Sequence, residues 1–299
     1  MEFKTLKYFL AVCKAGTMSR AAEELHVTQP TLSRQIADLE RELGCALLLR
    51  HSRSVEPTEE GLYLMRRAQD VIGLMGRIES DFAASEEIIA GDISIGACES
   101  SSMRLVAACM RIFQDQHPHV RFRIHSGHAG FCIDRLERGL DDFALLLEYP
   151  AIDRYESIRL SHLDRWGCFI PENDPLANGS AVRAEELVNY PMLIPDQALA
   201  FDMLSSWFGD HLNELNVRAT FNLGNNGIEM VREGMGYMLS LGGIRALGER
   251  TGLAFLPLDP PVIAHVDLAW CRGRKMSKAA SLFKEQMLAF NAASEQVIR

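Results

Sequence analysis

The chain has 299 residues, 47% hydrophobic and 24% charged, with 22 Gly and 11 Pro. That length buries ample core, favours two or three units over one, and excludes collagenous, mucin-like and wholly disordered classes. A net charge of −9, taken alone, argues against a generic polyanion binder and against a polybasic membrane binder.

The longest apolar runs, 45–49 and 143–147, fall far short of a bilayer span, and no membrane partner is expected. The first seven residues lack the basic-then-apolar layout of a signal peptide. Seven cysteines, an odd number, form no CxxC pair, so the expectation is a reduced cytoplasmic setting without a disulfide framework.

Phe3, Leu6, Phe9, Leu10 and Cys13 recur at helical spacing up to Gly16. A second helix fits 20–26, with Ser19 as its cap and Ala21, Ala22 and Leu25 inward. Thr28 caps a third over about 29–43, where Pro30 sits in the first turn and needs no N–H partner. Leu32, Ile36, Leu39 and Leu43 form its apolar stripe before Gly44. Two short helices joined tightly at Val27 and Thr28 predict a helix-turn-helix, and 47–57 predicts a wing hairpin.

A Pro-free stretch over 58–89 predicts one long helix. Met65, Ile72 and Glu79 share one heptad position and Ala68, Met75 and Phe82 the other, a pattern for pairing with a second copy. The same pattern also suits a helix packed on its own domain.

After Gly91 strands and helices alternate. Strands are predicted at 92–98, at Val120, Phe122 and Ile124 (with Arg121, Arg123 and His125 on the other face), at 143–147, 166–170, 191–194, 220–223 and 266–271. Helices are predicted at 104–116, 131–138, from 184, and at 277–291. This βαβ rhythm belongs to mostly parallel sheets with helices on both faces, and a second unit begins near Ser161.

The third helix offers Gln29, Thr31, Ser33, Arg34 and Gln35 in its first two turns. Side chains of these types reach base edges and phosphates when a helix N-terminus enters the major groove. Arg50 and Arg53 in the wing suit phosphate or minor-groove contacts. Ordinary surface polarity on a three-helix packing module is the plainer reading of the same residues.

The run Leu6-x-x-Phe9, Gly16-Thr17, Ala21-Ala22-x-x-Leu25, Gln29-Pro30-x-x-Ser33 and Leu39-Glu40-x-x-Leu43-Gly44-x-x-Leu47 resembles the LysR-type transcriptional regulators. The likeness continues through Arg50 to Thr58-Glu-x-Gly61 and, more loosely, through His117-Pro118, Gly139-x-x-Asp142-x-Ala144, Pro175-Leu176-Ala177, Leu187-x-x-Tyr190-Pro191 and Val231-x-x-Gly234-x-Gly236.

The resemblance implies a winged helix-turn-helix over 1–57 and a dimerising linker helix over 58–89. It further implies a two-lobed α/β effector domain similar to periplasmic solute-binding proteins. Lobe one would comprise 90–160 with 266–299, and lobe two 161–265. The implied function is a sequence-specific regulator controlled by a small molecule held between the lobes. DNA contacts would come from Thr28, Gln29, Pro30, Thr31, Ser33, Arg34, Arg50 and Arg53, and the dimer seam from Met65, Ala68, Ile72, Met75 and Phe82.

The effector cleft would draw on Cys98, Glu99, Ser100, Ser101 and Ser102, then His128, Ala129 and Gly130, then Pro195, Asp196 and Gln197, then Asn225 and Asn226. Helix N-termini with Ser and Asn suit a carboxylate, although the same residues also serve as plain caps. Glu99 and Asp196 depart from an anion site, Ala129 stands where a hydroxyl is common, and Ser240-Leu241 replaces the family's Leu-Pro. These departures leave a zwitterionic or amine-bearing effector, or none, open.

Expected partners are double-stranded DNA bearing an imperfect inverted repeat, the effector, further copies in a dimer or tetramer, and RNA polymerase. No cofactor or metal is expected. His125, His128 and Cys132 have bracketing spacings but lack a fourth ligand. No HExxH, GxSxG or P-loop motif occurs, so the chain is read as a non-enzyme. Cys98, at a helix start, is the one thiol with a reason for a lowered pKa. The alternative function is a cytoplasmic small-molecule binder whose helix-turn-helix serves assembly only.

The acidity is uneven. Residues 1–57 carry eight basic against seven acidic side chains, while 58–89 carry three against seven and 90–299 twenty against twenty-six. A near-neutral DNA-binding end implies modest non-specific affinity and a larger share for direct readout.

Overall fold

The computed structural model describes residues 1–51, 54–83, 89–196, 202–244 and 252–298. The chain divides into two compact units, Met1–Ala83 and Ala84–Arg299.

The first unit contains α1 (Phe3–Ala15), α2 (Met18–Glu24), α3 (Gln29–Leu43), β1 (Leu48–Arg50), β2 (Val55–Pro57) and α4 (Glu59–Ala83). Gly16 and Gly44, both at left-handed φ, end α1 and α3. The cap of α2 is Thr17, whose hydroxyl accepts the Arg20 N–H, rather than Ser19. The turn into α3 places His26 at φ 53°, a conformation that costs a residue bearing Cβ. Phe9, Val12, Ala21, Ala22, Leu32, Ile36, Leu39 and Leu47 close one core, and β1 pairs antiparallel with β2 as the wing.

Glu40 and Thr58 are among the residues that join the wing to its neighbours. Glu40 accepts the N–H groups of Leu47 and Leu48 at 2.9 and 3.2 Å. Thr58 donates to the Ala46 carbonyl and accepts from Gly61 N–H, which starts α4. A Cβ on Gly61 would lie 2.1 Å from the Leu47 oxygen, so only glycine lets α4 approach the wing this closely. The described part of α4 ends at Ala83, and residues 84–88 of the expected longer helix lie outside the described residues.

The second unit runs through β3 (Ala90–Ala97), α5 (Met103–Gln116), β4 (His119–Ser126), α6 (Ala129–Glu137), β5 (Phe143–Leu147), β6 (Glu156–Arg159) and β7 (Asp164–Pro171). It continues with α7 (Ala184–Leu187), β8 (Pro191–Pro195), α8 (Asp202–Phe208), β9 (Asn216–Phe221), α9 (Gly224–Arg232) and β10 (Tyr237–Leu241). Last come β11 (Leu253–Pro257), β12 (Ile263–Ala264), β13 (Val266–Trp270) and α10 (Lys278–Ile298).

One sheet has the order β4-β3-β5-β13-β6, parallel through β4, β3 and β5. In β5, Phe143 and Leu145 face α5 and α10 with Val106, Phe113 and Phe283, while Ala144 and Leu146 face α6 with Ile133 and Leu136. Cover on both faces explains the unbroken apolar run. On the edge strand β4 only Val120 is fully buried, and Ile124, placed inward by the two-residue alternation, is 38% exposed.

The second sheet has the order β11-β7-β10-β8-β9, with β12 also on β7. Here β10, β8 and β9 are parallel, and β7 runs antiparallel to β10 and β11. Met192, Ile194, Leu239 and Leu241 pack one face with Leu204 and Phe208, and Leu193 and Met238 pack the other with Ile228 and Val231. The chain passes between the sheets twice, between β6 and β7 and between β12 and β13, where Leu160 N–H reaches Val266 O at 2.9 Å.

Candidate functional site

The first site is the exposed start of α3. Thr28 caps it, accepting Thr31 N–H at 3.4 Å and contacting the Thr31 hydroxyl at 2.8 Å. Thr28, Gln29, Pro30, Thr31 and Arg34 are exposed and Ser33 half-buried, while Leu32, Ile36 and Leu39 fix the opposite face in the core. Pro30 has no N–H and Thr28 takes that of Thr31, so the Thr28 and Gln29 N–H groups are the ones this N-terminus turns toward a phosphate. Arg50 is exposed but tied to Glu40 at 3.2 Å, so the residue that holds the wing backbone also holds this guanidinium. Arg53 lies outside the described residues.

On α4 two of the expected seam residues face inward instead. Ala68 is 1% exposed and Met65 packs against the core of its own unit, because that side of α4 lies on α1. Ile72 and Met75 are half-buried. Among its described side chains, α4 leaves Leu62 and Tyr63 exposed near its start and Val71, Leu74 and Ile78 exposed further along, each more than 40%. The last three form the candidate pairing face. Their spacing of three and four residues gives one continuous stripe. The Phe82 side chain lies outside the described residues.

The second site is a cavity of about 180 Å³ in the second unit. Its lining comes from the ends of β3 (Cys98, Glu99), β4 (Gly127, His128, Ala129) and β5 (Leu147), and from Trp166 on β7. It is completed by the ends of β8 (Pro195, Asp196) and β9 (Phe221, Asn222), by Gly224, and by Ser240 and Leu241 of β10. The parallel strands of both sheets thus open at their carboxyl ends onto one crevice, the position where open α/β sheets bind ligands.

Glu99 spans this crevice. Its Oε2 accepts the Gly224 N–H at 2.5 Å, so a carboxylate from one sheet occupies the N-terminus of α9 beside the other. That helix has no cap from its own Leu223. His128 caps α6, its Nδ1 accepting the Phe131 N–H at 3.4 Å.

The serine run behaves differently from the expectation. Ser100 Oγ donates to Asp164 Oδ2 at 2.6 Å, Ser101 N–H and Oγ donate to Oδ1, and Ser102 Oγ reaches Oδ2 at 3.3 Å. His162 Nε2 lies 2.7 Å from the Ser101 hydroxyl. Asp164 is only 2% exposed. A buried carboxylate requires such donors, and the three hydroxyls are spent on it beside the cavity. A Cβ on Gly243 would sit 2.2 Å from Ser101 Cβ, so glycine is needed where this cluster closes.

Gly130, Asn225 and Asn226 are exposed and line no part of the cavity, and Gln197 lies outside the described residues. Leu147, Trp166, Phe221 and Asn222 were not anticipated. Leu147 and Phe221 end their strands, Asn222 follows β9 and Trp166 lies just past a crossing, and only the sheet order brings them together.

Cys98 also differs. Burial, with the Cys132 thiol and the Asp164 carboxylate nearby, pushes its pKa far above the usual thiol range, away from the thiolate. His125 Nδ1 contacts Asp141 at 2.8 Å and Cys132 Sγ donates to Gly127 O, so these side chains are held apart in separate bonds. Among the described residues no group of three His, Cys, Asp or Glu converges as metal ligands. No helix among them is long and apolar enough to cross a membrane.

A winged helix-turn-helix and long helix, followed by two α/β lobes enclosing a crevice, define a DNA-binding regulator with an effector-binding part. Residues 3–62 match the bacterial regulatory helix-turn-helix protein, lysR family, and residues 87–292 match the LysR substrate binding domain. The chain belongs to the LysR family of transcriptional regulators.

The HTH-type transcriptional regulator YybE of Bacillus subtilis (strain 168) is 24% identical, over 97% of this chain and 99% of that protein. The HTH-type transcriptional activator CmpR of Synechocystis sp. is 23% identical, over 95% and 94%. Among solved structures, full-length CbnR complexed with its target DNA shares the fold at a TM-score of 0.73 and 20% identity, covering 97% of this chain and 100% of that one.

Proposed function

We propose that this regulator acts in the cytoplasm as a dimer or dimer of dimers, reading an imperfect inverted repeat in double-stranded DNA. Gln29 and Ser33 contact base edges, and Thr28, Pro30, Thr31, Arg34, Arg50 and Arg53 position the helix and wing on the backbone. The observation that carries this reading is the first turn of α3, where Thr28, Gln29, Thr31 and Arg34 stand exposed together over a fixed apolar face. Two-fold pairing through the exposed face of α4 presents two such helices to successive major grooves. RNA polymerase is a further partner at the promoter.

The lobes, 90–160 with 266–299 and 161–265, close on a small molecule in the crevice. Closure shifts the geometry of the paired DNA-binding ends and so alters DNA bending. Gel shift of the full chain on DNA upstream of its own gene and of its neighbours tests the reading. Retarded bands that survive competitor DNA are expected. No binding even at low salt would overturn it in favour of a small-molecule binder whose helix-turn-helix serves assembly, because non-specific contacts persist there.

A further inference from the structure

Three features of the crevice concern the charge of what it holds. Glu99 already fills the α9 N-terminus through Gly224 N–H, the position at which the helix would favour an incoming anion. Asp196 places a second carboxylate on the same lining. Among the described lining residues there is no Lys or Arg. The remaining wall is largely apolar, with Leu147, Trp166 and Phe221.

From these features, and resting on the reading that the crevice is the effector site, we propose that its ligand is a compact organic amine carrying one positive charge on an apolar or aromatic body. A carboxylate ligand would meet two carboxylates and find the Gly224 N–H at the start of α9 taken. An ammonium finds acceptor positions that Glu99 retains beyond the one used by Gly224, since a carboxylate offers about four lone-pair sites. Asp196 adds a second counter-charge, and aromatic walls attract cations through their ring quadrupoles. The cavity of about 180 Å³ is of the scale that holds a single small ring, as apolar protein cavities of about 150 Å³ hold benzene.

The consequence is a coupled device. Glu99 joins the lobes through Gly224, so an ammonium drawing on the same carboxylate changes how firmly they are held together. Charge on the ligand and closure of the lobes therefore act through one residue.

Calorimetric titration of the full chain with 2-phenylethylamine, 2-phenylethanol and 3-phenylpropionate tests this. The amine is expected to bind most tightly and the carboxylate not at all. Glu99→Gln and Asp196→Asn are each expected to weaken the amine by about tenfold, the loss of one charge-assisted contact. Glu99→Gln, with the α9 N–H less well capped, is also expected to admit the carboxylate. Thermal unfolding of each variant checks that it folds.

Tighter binding of the carboxylate than of the amine to the native chain overturns the amine class and leaves the crevice standing as a binding site. No heat with any of the three also overturns the amine class. Amine binding that Glu99→Gln, Asp196→Asn and a crevice-narrowing Ala129→Leu all leave unchanged overturns the crevice reading itself. Gel shift on the same preparations reads DNA binding separately.

Discussion

Asp164 and Ser101 meet twice, through the serine hydroxyl and its backbone N–H on one carboxylate oxygen. The pair ties the loop before α5, on the first sheet, to the first residue of β7, in the second. Ser100 and Ser102 take the other oxygen, which makes this carboxylate a polar joint between the lobes beside the Glu99–Gly224 contact.

Replacing Asp164 with Ala strands the buried Ser102 hydroxyl and the half-buried donors of Ser100 and Ser101 beside a cavity. Hydrogen bonds to a charged group contribute about 1.5–3 kcal/mol each, and the net loss is expected to be about 2–4 kcal/mol. The second unit should then unfold roughly 5–15 °C lower. Asp164→Asn, which keeps one acceptor oxygen, should fall between. An unchanged melting curve for Asp164→Ala would contradict the joint.

Gly61 and Gly73 both lie within α4 but should respond oppositely to alanine. At Gly61 the added carbon meets the Leu47 backbone at 2.1 Å, whereas Gly73 has nothing within 4 Å. Gly61→Ala is expected to destabilise the first unit by about 1–3 kcal/mol and to weaken DNA binding through displacement of the wing. Gly73→Ala should stabilise by up to about 1 kcal/mol through helix propensity. Denaturant unfolding of the full chain measures both.

Arg34→Ala is expected to weaken DNA binding similarly across sequences, and to reduce the slope of log affinity against log salt by about 0.9. Fluorescence anisotropy over a salt series separates this from loss of a base contact. An unchanged slope and footprint would remove Arg34 from the interface.

Buried thiols set an alkaline limit. Burial, then the negative charge of Asp141, raises the Cys132 thiol from 9.0 to about 12, and burial raises Cys109 to about 11. A folded-state pKa above the unfolded one holds the proton more tightly in the fold, so this stability is full below about pH 9 and is lost as pH rises toward 11–12. Stability should fall above pH 9, and Cys132→Ala should flatten that decline. Alkylation by iodoacetamide at pH 8 should spare Cys98, whose raised pKa withholds the thiolate.

Much of this was legible in the residues. The helix-turn-helix carries its own punctuation in Gly16, Thr28, Pro30 and Gly44, because caps and breakers act locally. The alternation within 143–147 could not be read, yet its length and apolar content marked a strand covered on both faces. Elements such as β6, β10 and β11 escaped because short, buried or edge segments hold little periodic signal of their own.

By itself the sequence determined the order of the parts, the exposed polar start of α3 and the departure of Glu99 and Asp196 from an anion site. Only the tertiary structure decided what those residues do. Ser100, Ser101 and Ser102 look like ligand donors in a row, but they are committed to Asp164, which lies more than sixty residues away in the chain. Ala68 reads as a dimer contact until α1 covers it. The opening charge of −9 is likewise a sum, and a sum has no position. Folding brings two of those negative charges, one from each lobe, to the lining of one cavity and sets one against the N-terminus of α9, because hydrogen bonding depends on distances that chain order does not encode.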